Sequence, residues 1–293
     1  MAAVSDWTER HRPTSESHLE GNENQRQKIR KWLDDWKTGI PKNKAILLVG
    51  PPGVGKTTIA RAIAQDMGWN VIELNASDAR NAASIRKAAT KGATHRSLFF
   101  SPEENDKKTL ILIDEVDHLT GGLRSVSESR INDAIKVNLD NSDNVQLKGD
   151  TGGKAELLKL LAETKQPVIL ACNEVMGLWG KSSNWRSTRE RFQRLLVTIN
   201  FERASKEALR NIARRVLKAE SMDYDSDAIE AIVSNNPGDL RALVRDLQVI
   251  CSSDINSIDK ETVLEYAQTG DRDVSVEVFP GLAKLYKSNT ALD

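Results

Sequence analysis

Residues 45–57 read Ala45-Ile46-Leu47-Leu48-Val49-Gly50-Pro51-Pro52-Gly53-Val54-Gly55-Lys56-Thr57, and the architecture turns on them. Five aliphatic residues in a row suit a strand buried on both faces. The segment Gly50–Thr57 then fits the phosphate-loop pattern in full, with the helix predicted over Thr58–Met67 directly behind it. Glycines let successive backbone N–H groups curl around a β-phosphate, and a helix N-terminus adds a favourable dipole. Lys56 reaches the β/γ-oxygens of such a ligand, and the Thr57 hydroxyl is placed to hold magnesium. Gly50, Pro51, Pro52, Gly53, Val54, Gly55, Lys56, Thr57 and Thr58 therefore form the candidate cradle for ATP with Mg2+. A coincidental glycine-rich turn is the competing reading, and the flanking strand and helix argue against it.

Outward from the loop, short aliphatic runs alternate with helical stretches. Asn70–Leu74, Thr109–Ile113, Pro167–Cys172 and Leu195–Asn200 are the further strand candidates. Runs without polar alternation, separated by helices, imply a five-stranded parallel sheet covered on both sides, a three-layer α/β domain over 21–202. The Thr109 run ends in Asp114 and Glu115. An Asp at that strand end can hold the magnesium shell, and Glu115 is placed to polarise a water for attack on the γ-phosphate. This is hydrolytic chemistry and disfavours a small-molecule kinase. Acids after a strand are by themselves usually a solvated strand end; the loop above reverses those odds. Asp117 reads either as a further acid of the site or as an ordinary helix start. Asn173, just past Cys172, can position the attacking water or contact the γ-phosphate, or it is a plain turn former.

Residues 1–20 are a polar arm. Asn22 is expected to cap a helix in which Ile29, Trp32, Leu33 and Trp36 recur at helical spacing, stopped by Gly39 and Pro41. Residues 121–152, rich in Gly, Ser, Asn and Asp, read as a mobile surface insertion. From Ser205 the pattern is helical only, giving a small all-α lid domain over 203–271 whose helices open at Ser205, Ser226, Asp239 and Asp259. Arg241 sits in the first turn of its helix, the wrong end for a cation. It therefore has an anion to meet, either a nucleotide phosphate across the domain interface or a local Asp239 or Asp246. Residues 272–293 are too short for a domain and are expected to begin a missing or truncated one.

With 39% hydrophobic and 29% charged residues the 293-residue chain can build a core, which excludes wholesale disorder. Lys plus Arg equals Asp plus Glu at 42 each, so no uniformly basic surface is implied. The balance hides a polarity: residues 181–218 carry a net charge of +8 and residues 219–273 of −9. Such asymmetry suits one anion-facing surface and another that meets a basic partner, or simply two solvated faces. The apolar runs are strand-sized and the first residues lack a secretory pattern, so no membrane partner and a cytoplasmic location (nuclear, if the source is eukaryotic) are expected. Cys172 and Cys251 have no metal-ligand spacing and read as reduced thiols.

Trp7-Thr8-Glu9-Arg10-His11-Arg12-Pro13, Glu73-Leu74-Asn75-Ala76-Ser77-Asp78, Asp114-Glu115-Val116-Asp117 and Gly238-Asp239-Leu240-Arg241, in this order around the phosphate loop, resemble the boxes of AAA+ ATPases of the clamp-loader family. Within it the chain is similar to the large subunit of archaeal replication factor C over roughly residues 5–285. The resemblance implies Lys56 and Thr57 as Walker A residues, Asp114 and Glu115 as the Walker B pair, Asn173 as sensor 1 and Arg241 as sensor 2. It places Arg10, His11, Arg12 and Pro13 near the adenine, although His11 stands where the family has tyrosine. It also implies an ATPase that opens a sliding clamp and sets it on primed DNA with partner small subunits. Arg80, Arg86, Lys87 and Lys91 then fall where clamp loaders track the DNA backbone, or are plain surface charges. The stretch Gln193-Arg194-Leu195 lacks the small subunits' Ser-Arg-Cys box, which suits a chain that receives an arginine finger; Arg194 remains a candidate finger. Residues 123–148 exceed the family's usual length there, and a collar domain is expected after residue 272. Other AAA+ machines, a Holliday-junction motor or an origin-recognition ATPase, and an assembly scaffold with weak ATPase, are the alternatives.

Overall fold

The aliphatic runs become one parallel sheet. Strands β1 (Ala45–Val49), β2 (Asn70–Asn75), β3 (Thr109–Asp114), β4 (Val168–Cys172) and β5 (Leu196–Asn200) stand in the order β2-β3-β4-β1-β5. This is a computed structural model, which describes residues 6–77, 81–87, 108–119, 121–140, 151–180, 183–252 and 257–269. The three inner strands are buried almost throughout, and the two outer ones expose alternate or paired positions. That is why only the inner runs lack polar residues.

Alternate side chains feed two cores. On one face Ile46, Leu48, Leu110, Leu112 and Ile169 pack beneath helices α2 (Glu23–Thr38) and α3 (Lys56–Asp66), which contribute Ile29, Leu33, Trp36, Ile59 and Ile63. On the other, Leu47, Ile111, Ile113 and Leu170 meet Leu157 and Leu161 of α5 (Gly153–Glu163), Leu178 and Trp179 of α6 (Val175–Trp179) and Phe192 of α7 (Trp185–Gln193). The register aligns Asn75 with Asp114 and Val49 with Cys172. Asp114, Asn173 and Gly50 consequently share one rim of the sheet, the carboxyl end at which parallel sheets bind ligands.

A third core joins α8 (Lys206–Ala219), α9 (Ser226–Asn235), α10 (Leu240–Cys251) and α11 (Lys260–Thr269). Its apolar faces are those the helical spacing predicts, including Leu209, Ile212, Ile229, Leu243 and Leu247. Ser205 and Asp239 cap their helices, accepting from the backbone N–H of Ala208 and Ala242. The arm joins this core as well: Trp7, in the short helix α1 (Trp7–Arg10), is 7% exposed, and its backbone N–H donates to Gln248 Oε1.

Several local expectations are corrected. Asn22 precedes α2 in left-handed backbone (φ 53°) and does not cap it; its side chain instead exchanges two hydrogen bonds with the backbone of Glu202, 3.0 and 3.1 Å. The phosphate-loop helix opens at Lys56, earlier than Thr58. The residue before α9 is Asp225, not Ser226, and its side chain makes no cap bond. The lid is not purely helical, because β6 (Asp223–Tyr224) pairs in parallel with β7 (Ser257–Ile258). Residues 121–152 are not simply a mobile insertion. They contain α4 (Glu128–Asp140), whose Ile131 and Ala134 pack on Ala82 and Ala83. Residues 141–150 and 272–293 lie outside the described residues.

Trp36 is fully buried, and its indole N–H has no partner among the described residues. Replacing Trp36 with Ala should cost about 3–5 kcal/mol through the cavity left behind. Trp36→Phe should cost clearly less, since it also deletes an unpaired buried donor. Denaturant unfolding of the two variants checks this ordering.

Candidate functional site

The loop between β1 and α3 depends on close backbone approach. A Cβ on Gly50 would stand 2.6 Å from the Phe201 carbonyl oxygen, and one on Gly53 (φ +72°) would fall inside the Asp239 carboxylate. These two positions need glycine for space, and Gly53 also for its conformation. The backbone N–H of Leu240 donates to the Gly53 carbonyl at 3.0 Å, so the first turn of lid helix α10 rests directly on the loop. Gly55 (φ +87°) precedes α3 and lets the chain turn into the helix that carries Lys56 and Thr57.

Lys56 is 7% exposed. Its ammonium donates to the carbonyls of Gly50 and Pro51, both 2.8 Å, and to Asn173 Oδ1 at 2.9 Å. Burial lowers its pKa, opposed by the charge of Asp114. Burial likewise raises the pKa of Asp114. A hydrogen bond from the Glu115 backbone N–H opposes that shift, and the neighbouring charge of Glu115 adds to it. Glu115 itself adopts left-handed backbone (φ 55°), costly for a residue with a side chain and a feature of functional turns. Asp117, left open by sequence, bridges elements: its Oδ2 accepts from the backbone N–H groups of Asn173 and Glu174 at 3.1 and 3.2 Å.

Lys56, Asp114, Glu115 and Asn173 line one cleft of about 400 Å³ between the sheet rim, the arm and the lid, within the usual size of small-molecule sites, ~300–1,000 Å³. Of the expected residues, Pro52, Gly53, Gly55, Lys56, Thr57, Thr58, Asp114, Glu115, Asn173, Arg241, His11, Arg12 and Pro13 border it. Gly50 and Pro51 serve through their carbonyls, and Val54 is buried in the core beneath. Arg10 is a correction. It does not border the cleft; it stacks over Trp7 at 5.5 Å and pairs with Glu220 at 2.8 Å. His11 also meets Glu220, at 2.6 Å, while Arg12 pairs with Glu73 at 3.2 Å.

Arg241 borders the cleft and has neither a hydrogen bond nor an ion pair among the described residues. Both local alternatives are taken elsewhere: Asp239 caps α10, and Asp246 accepts from Asn236 and Tyr266. Arg215 and Arg245 border the cleft too, and sequence reading passed over them. For Arg245 a signal existed, since it lies one helical turn beyond Arg241. Nothing in the sequence marks Glu220 or Arg215.

The cleft fits a magnesium nucleotide. Thr57 and Asp114 offer hard oxygens, and no group of three or more His, Cys, Asp or Glu gathers among the described residues. Magnesium suits such a sparse set because it keeps water and phosphate oxygens in its shell. Cys172, beneath the loop, has its pKa pushed up to about 12 by burial and is an unreactive thiol; that of Cys251 is pushed up to about 11.

Among the other candidates, Arg86 is corrected as a free DNA contact. Its guanidinium is held by Glu156 at 2.6 and 2.8 Å and by Glu128 at 2.5 Å, with its side chain 15% exposed. Lys87 is half-buried, and Arg80 and Lys91 lie outside the described residues. Arg194 is exposed and pairs with Glu190, one turn earlier on α7.

A parallel sheet with a phosphate loop at its carboxyl rim and a helical lid resting on that loop defines a P-loop α/β fold with a mainly helical lid. The ATPase family associated with various cellular activities (AAA) matches residues 46–197, and the chain belongs to that family. It is similar to proteins named replication factor C large subunit: 30% identical over 98% of the chain to that of Methanosarcina mazei, and 32% over 98% to that of Halobacterium salinarum. The chain spans 40% and 51% of the length of those two relatives. Among solved structures, the RuvB Holliday junction branch migration motor of Thermotoga maritima superposes with a TM-score of 0.57 at 21% identity, covering 92% of this chain and 76% of that one. This likeness shows the fold alone. No helix among the described residues is long and apolar enough to cross a membrane.

Because burial raises the Asp114 pKa above its ordinary 3.8, ionising this carboxyl destabilises the fold at neutral pH. That penalty is relieved as pH falls from the raised value towards the ordinary one. Asp114→Asn should therefore unfold at a higher temperature than the parent at pH 7, with the gap closing towards pH 4. Thermal unfolding across that range, without nucleotide or metal, tests the sign.

Proposed function

We propose that this chain is an ATPase subunit of a clamp loader, which helps open a sliding clamp and place it on primed DNA. The observation that carries the ATPase half is the Lys56 ammonium, held 2.9 Å from Asn173 Oδ1 on the rim that Asp114 shares, in a cleft also bordered by Arg241, which has no ion pair among the described residues. The clamp-loader half is supported by similarity along 98% of the chain to replication factor C large subunits. The sheet region over 21–202, with the lid over 203–271, forms the nucleotide-binding part of a longer assembly on this reading.

The roles follow from charge and position. Lys56 and the loop N–H groups bind the β- and γ-phosphates. Thr57 and Asp114 hold magnesium, which when bound neutralises charge on those phosphates. Asn173 orients the attacking water, and Glu115 accepts its proton. Arg241 meets the phosphates from the lid, and His11, Arg12 and Pro13, which border the same cleft, meet the adenine base. Hydrolysis in the isolated chain is slow, because a neighbouring subunit supplies an arginine to the site. Small subunits, the clamp and primer-template DNA are the partners. With Arg86 held by two carboxylates, the DNA backbone contacts fall to Lys87, Arg80 and Lys91. A Holliday-junction motor finds no comparable support, since the likeness to RuvB is one of fold.

Glu115→Gln should leave Mg–ATP binding intact and lower turnover by about 10²-fold or more, the loss of a positioned base. Unchanged turnover removes Glu115 from this role. Co-purification with small subunits and a clamp, and ATPase measured with and without primed DNA, tests the assembly. Partners and DNA should together accelerate hydrolysis; a fast monomer indifferent to them overturns the clamp-loader reading.

A further inference from the structure

Asp117 stands three residues beyond Asp114, yet its carboxylate turns away from the cleft, which it does not border. It belongs to the 3-10 turn Val116–His118 that follows the strained Glu115. Oδ2 accepts from two consecutive backbone N–H groups, those of Asn173 and Glu174, at the tip of the neighbouring strand β4. Oδ1 is buried and has no hydrogen-bond partner among the described residues. The residue is only half-buried and its two hydrogen bonds lie near the surface, yet leaving the one buried oxygen unpaired costs stability that an apolar side chain would not.

Those contacts converge on one residue. Asn173 is gripped through its backbone by Asp117, while its side chain accepts from Lys56 at 2.9 Å. A continuous chain thus runs from the Glu115 turn through Asp117 and Asn173 to the loop lysine. The backbone of Asp117 is itself pinned: a Cβ on Gly177 would stand 2.4 Å from the Asp117 carbonyl oxygen. Helix α6 thereby packs directly against the turn.

The geometry points to Asp117 as a positioning residue for Asn173, clamping the tip of β4 so that the Asn173 side chain stays beside Lys56 and moves in register with the Asp114–Glu115 turn. It touches neither nucleotide nor metal, and it acts on hydrolysis only through Asn173. The inference rests on the reading of Asn173 and Lys56 given under Proposed function.

The test is single-turnover hydrolysis of Mg–ATP by excess protein, which registers slow rates. It is run with nucleotide affinity and thermal unfolding on the parent, Asp117→Ala, Asp117→Asn, Asn173→Ala and the Asp117→Ala/Asn173→Ala pair. Asp117→Ala should slow the step by about 10-fold or more, since a small misplacement of a positioning group is costly. Its Mg–ATP affinity should stay within about threefold of the parent. Asp117→Asn keeps an oxygen acceptor and should recover most of the rate. The double variant should be no slower than Asn173→Ala alone, because both remove one shared contribution. Losses that multiply, or an Asp117→Ala protein as fast as the parent, overturn the inference. So does an Asp117→Ala protein that loses nucleotide affinity together with thermal stability, the mark of a purely structural role. If Asn173→Ala itself hydrolyses at the parent rate, the underlying site reading fails and Asp117 falls with it.

Discussion

A buried ammonium organises this molecule. Lys56 is almost wholly removed from water, and burying a cation is tolerable only when oxygens surround it. Two loop carbonyls and the Asn173 side chain do so, and each comes from a different constraint. The carbonyls are available because glycines let the loop fold back over its own lysine. Asn173 is available because β4 lies next to β1. Asp114, one strand further, supplies the opposing charge, and its own ionisation is disfavoured by the same dry surroundings. The site thus keeps two unlike charges partly dehydrated within one cleft, an arrangement that a polyanion and a metal ion relieve.

The lid and the arm are fastened to this centre by separate devices. Lid helix α10 reaches the loop through a backbone hydrogen bond from Leu240 to Gly53, so loop geometry and lid position are not independent. The arm sinks Trp7 into the lid core, pairs Arg10 and His11 with Glu220 of the lid, and then pairs Arg12 with Glu73 on the sheet. Ser15 and Glu16 go on to meet Asp66 at the end of α3. One polar segment therefore spans both bodies across the mouth of the cleft. These pairs are partly covered and lie near the surface, where such contacts contribute modestly, and the buried indole of Trp7 adds an apolar anchor to them.

Much of this was legible in the linear order of residues. The phosphate loop, the buried strands and the lid helices are local patterns, in which neighbouring residues supply the geometry or the periodicity themselves. Asp114, Glu115 and Asn173 could be placed because each lies at the carboxyl end of a buried strand. Local reading erred where a side chain had a better partner far along the chain. Asn22 forgoes its helix for Glu202, Arg86 turns to Glu156 and Glu128, and Arg10 leaves the cleft for Glu220. The stretch 121–152, polar enough to suggest an insertion without structure, holds a helix because Ala82 and Ala83 give it an apolar seat.

What the sequence alone determined is the family's frame: a phosphate-loop motif at a sheet rim, two acids beside it and a helical lid bearing an arginine. Only the tertiary structure decided who holds whom. Asp117 stayed open between a further acid of the site and an ordinary helix start until β3 and β4 proved to be neighbours, which brought its carboxylate to the backbone of Asn173, 56 residues away. Arg241 could be read as lacking an ion pair among the described residues only once Asp239 and Asp246 were seen to be engaged. The reason is physical: strand order and side-chain pairing are set by the packing of faces across the whole fold, and no periodicity within a single segment encodes them.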